Sequence, residues 1–427
     1  MNVYKKTDRL LYIGVFSILA VIVLRDLIDI NISSIPFAVI ILYFAFLLKG
    51  NNYISYLFFI FPLVLGIPGS YVMPVLAALC LFRFKNIRKN AIAFFLIFSM
   101  LELVHFMLYS FPADFLLEVR YLSCLLIFVL VISDFSNDPS AHEKRAFFFV
   151  IGCVSAMLCI MLNTYIQSSQ MGLEGSIRLG NYLTENLEET SIRLSMNPNT
   201  LAYLSVISMS ISLVALQDNF FKRRKFIIFS MIVVTLAGFL TISRTWMLVV
   251  VIMFIIYLNL KTTNYKLKYF FIVIVLLLVA YLLFYGGSYV DTYLDRFTDS
   301  TVRSGGSRTN LFTMYNEFLL NNPFHLLFGT GSVYYREVCQ LGDSSHNSLQ
   351  QVYVSYGIIG FFIFIAAYLK LLLRLRQISL IYWLPVVVNI LFMQSIQFLN
   401  PFFLMFPVAV SLELLKAKRA AELLGNY

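Results

Sequence analysis

The chain has 427 residues, of which 60% are apolar and only 13% charged, with a net charge of +10, 42 Phe and a mean hydropathy of +0.83. A soluble protein of this length needs a far more polar surface, so a water-soluble globular fold is excluded. Continuous apolar runs without period-two alternation also exclude a transmembrane β-barrel, which leaves an all-α, polytopic membrane helix bundle.

Fourteen apolar segments follow one another, at 10–24, 35–48, 54–66, 70–83, 91–110, 115–133, 146–166, 199–216, 226–242, 246–259, 269–286, 350–373, 378–396 and 401–415. They predict a single transmembrane domain over residues 1–427 with about 12–14 spans. The first, with Lys5, Lys6 and Arg9 ahead of it, reads as an uncleaved span, because no small-residue cleavage site precedes Arg25-Asp26. Segments 54–66 and 70–83, with Pro62, Pro74 and, between them, Pro68, fall short of the roughly 20 residues of a perpendicular span. Either neighbours shield them or they form a re-entrant pair. Glu102 and His105 lie one turn apart in 91–110; an interhelical polar contact is favoured over a proton-sharing pair. Four of the five cysteines sit in apolar runs and Cys339 in a polar loop, so no disulfide framework or metal-ligand spacing is expected.

Alternating the segments from a cytoplasmic N-terminus puts 23 of the 32 basic residues on the inside, including every lysine. This is the positive-inside pattern; it places both termini in the cytoplasm and accounts for the net charge without a nucleic-acid partner. The nine outward basic residues (Arg25, Arg120, Arg178, Arg193, Arg244, Arg296, Arg303, Arg308 and Arg336) are all arginine. Either lysine is merely scarce there, or guanidinium forks are needed to grip phosphate in bidentate fashion. Two outward loops are long, 167–197 and 287–347, and loops of such length in a compact membrane protein are usually functional or disordered. Within the second, Leu311, Met314, Tyr315, Phe318 and Leu319 predict a short amphipathic helix over 310–320.

Two places in this pattern point to chemistry. Segments 226–242 and 246–259 are about 26 and 21 Å long at about 1.5 Å per residue, too short for their turn to clear a hydrocarbon core of about 30 Å. Arg244, in Thr241-Ile-Ser-Arg244, therefore sits below headgroup level in a protein-lined cavity. An arginine there is costly unless it meets an anion, and this reading is preferred to snorkelling toward lipid phosphates. The second place is His346-Asn347, where loop 287–347 runs into an apolar helix. Ser344 or Ser345 is the expected N-cap, which sets His346 in the first helical turn. The helix dipole there disfavours imidazolium, and a neutral imidazole is what a general base needs. Gly357 and Gly360 further along permit close helix approach. Arg296, Arg303 and Arg308 precede the histidine, with Gly305-Gly306 beside Arg308 allowing tight approach of an anion. No pair of outward carboxylates stands out for a metal-dependent nucleotide-sugar transferase.

Together these features resemble the O-antigen polymerase/ligase family of bacterial envelope enzymes. His346-Asn347-x9-Gly357-x-x-Gly360 matches its H-[NSQ]-x9-G-x-x-G pattern, and Phe328-Gly-Thr-Gly331 resembles the G-x-G ahead of it. Thr241-Ile-Ser-Arg244 resembles a membrane-dipping T-x-S-R, Gly306-Ser-Arg308 an S-G-R-like arginine, and Asn197-Pro-Asn-Thr200 a recurrent start of a span. The likeness runs from about 197 to 360; the first 190 residues resemble nothing beyond a membrane bundle. It implies that His346 deprotonates or orients an acceptor sugar hydroxyl, with Asn347, Gly357 and Gly360 in support. Arg244 and Arg308, with Arg303 or Arg296 as stand-ins, would clamp the pyrophosphate of an undecaprenyl-linked glycan donor. No metal or cofactor is implied. The implied partners are the undecaprenyl diphosphate-linked donor and acceptor, membrane lipid, and a chain-length regulator and flippase of the same pathway.

The expected function is a polysaccharide polymerase of the bacterial inner membrane, working at its outer face. A ligase that passes finished glycan to lipid A core or to protein is the alternative within the family. A flippase or transporter is the alternative of another class; it is disfavoured because ionisable residues gather near one face and no inverted repeat is visible.

Overall fold

A computed structural model describes residues 2–28, 30, 32, 34–64, 72–83, 89–109, 115–133, 139–170, 179–180, 194, 196–218, 224–259, 269, 272, 306–341, 347–373, 380–393 and 406–423. Among these residues there are helices and no strands. In chain order they are α1 (Asn2–Ile22), α2 (Ser34–Leu47), α3 (Gly50–Val64), α4 (Val72–Arg83), α5 (Lys89–Tyr109), α6 (Phe115–Ser133), α7 (Pro139–Gln170) and α8 (Pro198–Gln217). There follow α9 (Arg224–Leu240), α10 (Arg244–Asn259), α11 (Gly306–Asn321), α12 (Pro323–Phe328), α13 (Tyr335–Val338), α14 (Ser348–Leu373), α15 (Leu384–Met393) and α16 (Phe406–Leu423).

Five stretches are long and apolar enough to cross a membrane: Asp8–Leu27, Lys89–Tyr109, Ser140–Ile166, Pro198–Gln217 and Ser348–Lys370. Four shorter apolar helices accompany them. Thirteen of the fourteen predicted segments coincide with described helices; segment 269–286 lies almost wholly outside the described residues.

The centre of the bundle is α7, packed on α3, α8, α9 and α16. Gly152 makes this possible, since a Cβ there would stand 2.3 Å from the Phe59 carbonyl oxygen of α3. Next to it α8 is almost wholly buried, with Ser205, Ser208, Ser210 and Ser212 enclosed. Small side chains of this kind let membrane helices approach closely. At one end a buried ionic knot fastens four helices. Glu413 of α16 accepts from Arg145 (3.0 Å) and His142 of α7 and from its neighbour Lys416 (2.8 Å). Arg145 also donates to Asn51 of α3 (2.7 Å), and Lys144 to Asp8 of α1 and Asn52 (2.6 Å each). Charges buried this deeply persist only when paired on several sides, as here.

Helix α11 confirms the amphipathic reading of 310–320 in part. Leu311, Tyr315 and Leu319 form its buried stripe, whereas Met314 is 46% exposed. Tyr315 and Leu319 pack with Tyr335, Cys339 and Val354, which ties α11 and α13 to the first half of α14. Burial there pushes the Cys339 thiol up to about 12. It therefore stays protonated at neutral pH and is a poor nucleophile. Purified folded protein should leave Cys339 unlabelled by maleimide and expose it only on unfolding, as peptide mass spectrometry would show; full labelling of the folded protein would contradict this packing.

Candidate active site

The T-I-S-R segment forms a buried turn between α9 and α10, helices of only 17 and 16 residues. Thr241 and Ile242 are fully buried and Ser243 nearly so, so the turn ends inside protein as its short helices require. Thr241 folds back to donate Oγ1 to the Gly238 carbonyl (2.6 Å). Ile242 takes a φ of +49°, which a β-branched residue adopts only under tertiary constraint. Ser243 then caps α10: its carbonyl accepts from Met247 N (3.2 Å) and its Oγ faces Trp246 N at 3.4 Å. Half-buried Arg244 is thus the first residue of a helix, at the end where free N–H groups and the dipole favour an anion.

The turn is braced on every side. Gly238 leaves room for the Trp246 indole, whose Nε1 donates to Ser205 Oγ (3.0 Å), and Ser205 donates on to the Val234 carbonyl (2.5 Å). Leu179 N, from loop 167–197, donates to the Leu240 carbonyl (2.8 Å). The start of α8 supplies a third brace. Asn197 caps that helix by accepting from Asn199 N (2.9 Å), and Asn199 Oδ1 lies 3.5 Å from Ser243 Oγ. Two segments singled out separately in the sequence, Asn197-Pro-Asn-Thr200 and Thr241-Ile-Ser-Arg244, are therefore one structural unit.

A second unit surrounds the His-Asn segment. The structure corrects the expected cap: Asn347, not Ser344 or Ser345, is the N-cap of α14. Its Oδ1 accepts from Leu349 N (3.0 Å) and Gln350 N (3.1 Å). His346 immediately precedes this cap in the chain. The ring of His346 lies outside the described residues, as do Arg296 and Arg303. Arg308 belongs to the first turn of α11, with its side chain outside the description.

Helix α14 is broken at Gly357, with φ +64° and ψ −169°. A Cβ at Gly357 would stand 2.3 Å from the Leu327 carbonyl oxygen, so the glycine serves both the break and the close approach of α12. A Cβ at Gly360 would stand 2.3 Å from Tyr356 Cβ on the other side of the break, with Leu101 of α5 at ordinary contact distance. The Phe328-Gly-Thr-Gly331 turn docks onto the break. Thr330 N donates to the Val354 carbonyl (3.0 Å) and Gly331 N to the Ser355 carbonyl (2.9 Å). Glu102 and His105 make polar contacts, as expected, but with the backbone of the loop at Ser332 and Gly329 and not with a helix. Sequence reading missed His325, which lies beside them; its only signal was its place in Phe324-His-Leu-Leu-Phe-Gly.

Among the described residues no group of His, Cys, Asp and Glu has the geometry to hold a metal ion. Chemically, the first unit offers an arginine at a helix start, and the second a kinked helix capped by Asn347.

Comparison with known proteins adds a family. Residues 229–365 match the family model described as O-Antigen ligase. No curated protein and no solved structure is matched. The matched stretch starts within α9, contains the Arg244 turn, the Gly329–Gly331 turn and the His346-Asn347 segment, and ends in α14 beyond Gly360. The match covers 137 of the 427 residues and supports the assignment of this multi-pass membrane protein to the O-antigen polymerase/ligase family.

Proposed function

We propose that this protein is a polysaccharide polymerase of the bacterial cytoplasmic membrane. It would transfer an undecaprenyl diphosphate-linked glycan onto a lipid-linked repeat unit, with its site facing outward and both termini in the cytoplasm. The observation that carries this reading is Arg244, half-buried at the first position of a helix whose preceding turn is enclosed and strained. Such a placement suits a lipid diphosphate, an activated leaving group whose developing charge a guanidinium neutralises. Arg308 would share the clamp, with Arg303 or Arg296 able to take its part. His346 would accept the proton of the acceptor hydroxyl. Two lipid-linked substrates held beside one base gain the proximity term. Chain-length regulator and flippase are its expected partners.

The description of the matched family as a ligase favours one second reading, transfer of finished glycan to lipid A core or to protein. Surface glycan from a deletion strain separates the two: single-repeat product means a polymerase, whereas unattached lipid-bound polymer means a ligase. The proposed chemistry draws its charge stabilisation from arginine, so purified protein should extend lipid-linked repeats in EDTA at an undiminished rate. Strict dependence on an added divalent ion would overturn that part of the proposal.

A further inference from the structure

Helix α5 lies outside the matched stretch and only 17% of its apolar window is buried, the least of the five long apolar stretches. Its buried residues are Phe98, Glu102 and His105, which with Tyr109 fall at i, i+4, i+7 and i+11 on a single face. Two of the three are ionisable. Side chains of that kind are expensive inside a membrane span and are retained where they hold something.

What they hold is the turn docked on α14. The Glu102 carboxylate accepts Ser332 N–H, at 3.0 and 3.2 Å to its two oxygens. His105 Nε2 lies 2.9 Å from the Gly329 carbonyl oxygen and its Nδ1 2.6 Å from the Leu101 carbonyl oxygen, and His325 Nδ1 lies 2.9 Å from the same Gly329 oxygen. A carbonyl has two lone pairs and can take both. Tyr109 OH lies 3.2 Å from His325 Nε2, so the α5 face reaches this oxygen twice, directly and through His325. Phe98 meets the Tyr356 ring edge-on at 4.7 Å, immediately before the break at Gly357. Gly329 has a φ of +81°, and a Cβ there would stand 2.2 Å from the Ser355 carbonyl oxygen, so backbone lies directly on backbone. From this clasp the first half of α14, residues 348–356, runs to its cap Asn347, roughly 13 Å away at about 1.5 Å per residue.

We infer that Glu102 and His105 are positioning residues of the transfer site: through the backbone of residues 329–332 they set the angle at which the first half of α14 leaves the Gly357 break, and thereby the placement of His346 and Asn347. This rests on the role proposed for His346. Neither side chain needs to touch substrate.

The test has two arms on the full-length protein. In the first, spin labels at Leu349→Cys in α14 and Leu248→Cys in α10 report the distance between the helices; the five native cysteines are buried. His105→Phe and Glu102→Leu should shift or broaden that distance, and His105→Gln, which keeps an N–H donor, should restore it. An unchanged distance in both variants overturns the inference. In the second arm, turnover on lipid-linked repeats should fall about 10- to 100-fold in His105→Phe with KM for the donor little changed, because misplacement of about 1 Å is that costly. A rise in KM at unchanged kcat would contradict it. Ser332→Pro removes the Glu102 hydrogen bond from the other side; it should reproduce the Glu102→Leu defect and add nothing to it in the double variant, and additive losses would contradict the coupling. Wild-type protein inactive on lipid-linked repeats would remove the proposed function, while the distance arm would still decide the positioning.

Discussion

Arg244→Ala should lower glycan transfer by about 10²- to 10³-fold, the usual cost of losing one preorganised electrostatic contact to a developing anion. The protein should still reach the membrane at normal abundance. The turn that places Arg244 is built by other residues: Ser243 caps α10, Trp246 is fixed by Ser205, and Thr241 closes on Gly238. Arg244→Lys distinguishes charge from geometry. Lysine keeps the positive charge but offers a point ammonium instead of a planar fork, so it should fail nearly as badly if the diphosphate is held in bidentate fashion. Near-normal transfer by the lysine variant, measured as polymer per unit of membrane protein, would reduce Arg244 to a topological charge.

His346→Ala should cost about 10²- to 10⁴-fold in turnover, the range for loss of a general base. Stability should be unaffected, because the adjoining helix is capped by Asn347 and not by the histidine. Donor KM should stay close to that of the native protein, since the pyrophosphate contacts are assigned elsewhere. Full-length glycan from a strain expressing only the alanine variant would end the role given to this residue.

Local periodicity made most of the helices legible. The polar start of α7 was not: Pro139 to Arg145 reads as loop by hydropathy, yet it is helical because Glu413, 268 residues away from Arg145, pairs with it. No local signal carries such a partner. The cap of α14 was ambiguous for a different reason. Ser344-Ser345-His-Asn347-Ser348 offers several residues of nearly equal capping strength, and only the fold selects among them. Gly357 is a place of close helix approach, as read from the sequence, whereas Gly360 meets α5 only at ordinary distance and has its tight neighbour, Tyr356, in its own helix. That they face different neighbours, and that Gly357 breaks the helix, depends on the Leu327 backbone arriving from outside the segment. In the site, the two motifs joined at Ser243 and Asn199 were each visible in the sequence, but their contact is tertiary. Glu102 and His105 were visible as a polar pair in an apolar segment, but His325, Ser332 and the backbone that the pair contacts escaped, because hydrogen bonds to backbone leave almost no trace in residue identity.

An experimental structure of the protein with a polyprenyl diphosphate bound is the most direct test of the proposed transferase site. The expected result is a phosphate oxygen within hydrogen-bonding distance of the Arg244 guanidinium, with the imidazole of His346 on the same side of the membrane and directed at the sugar-bearing end. A diphosphate seated away from α10, or an imidazole facing the opposite side of the bilayer, would contradict it.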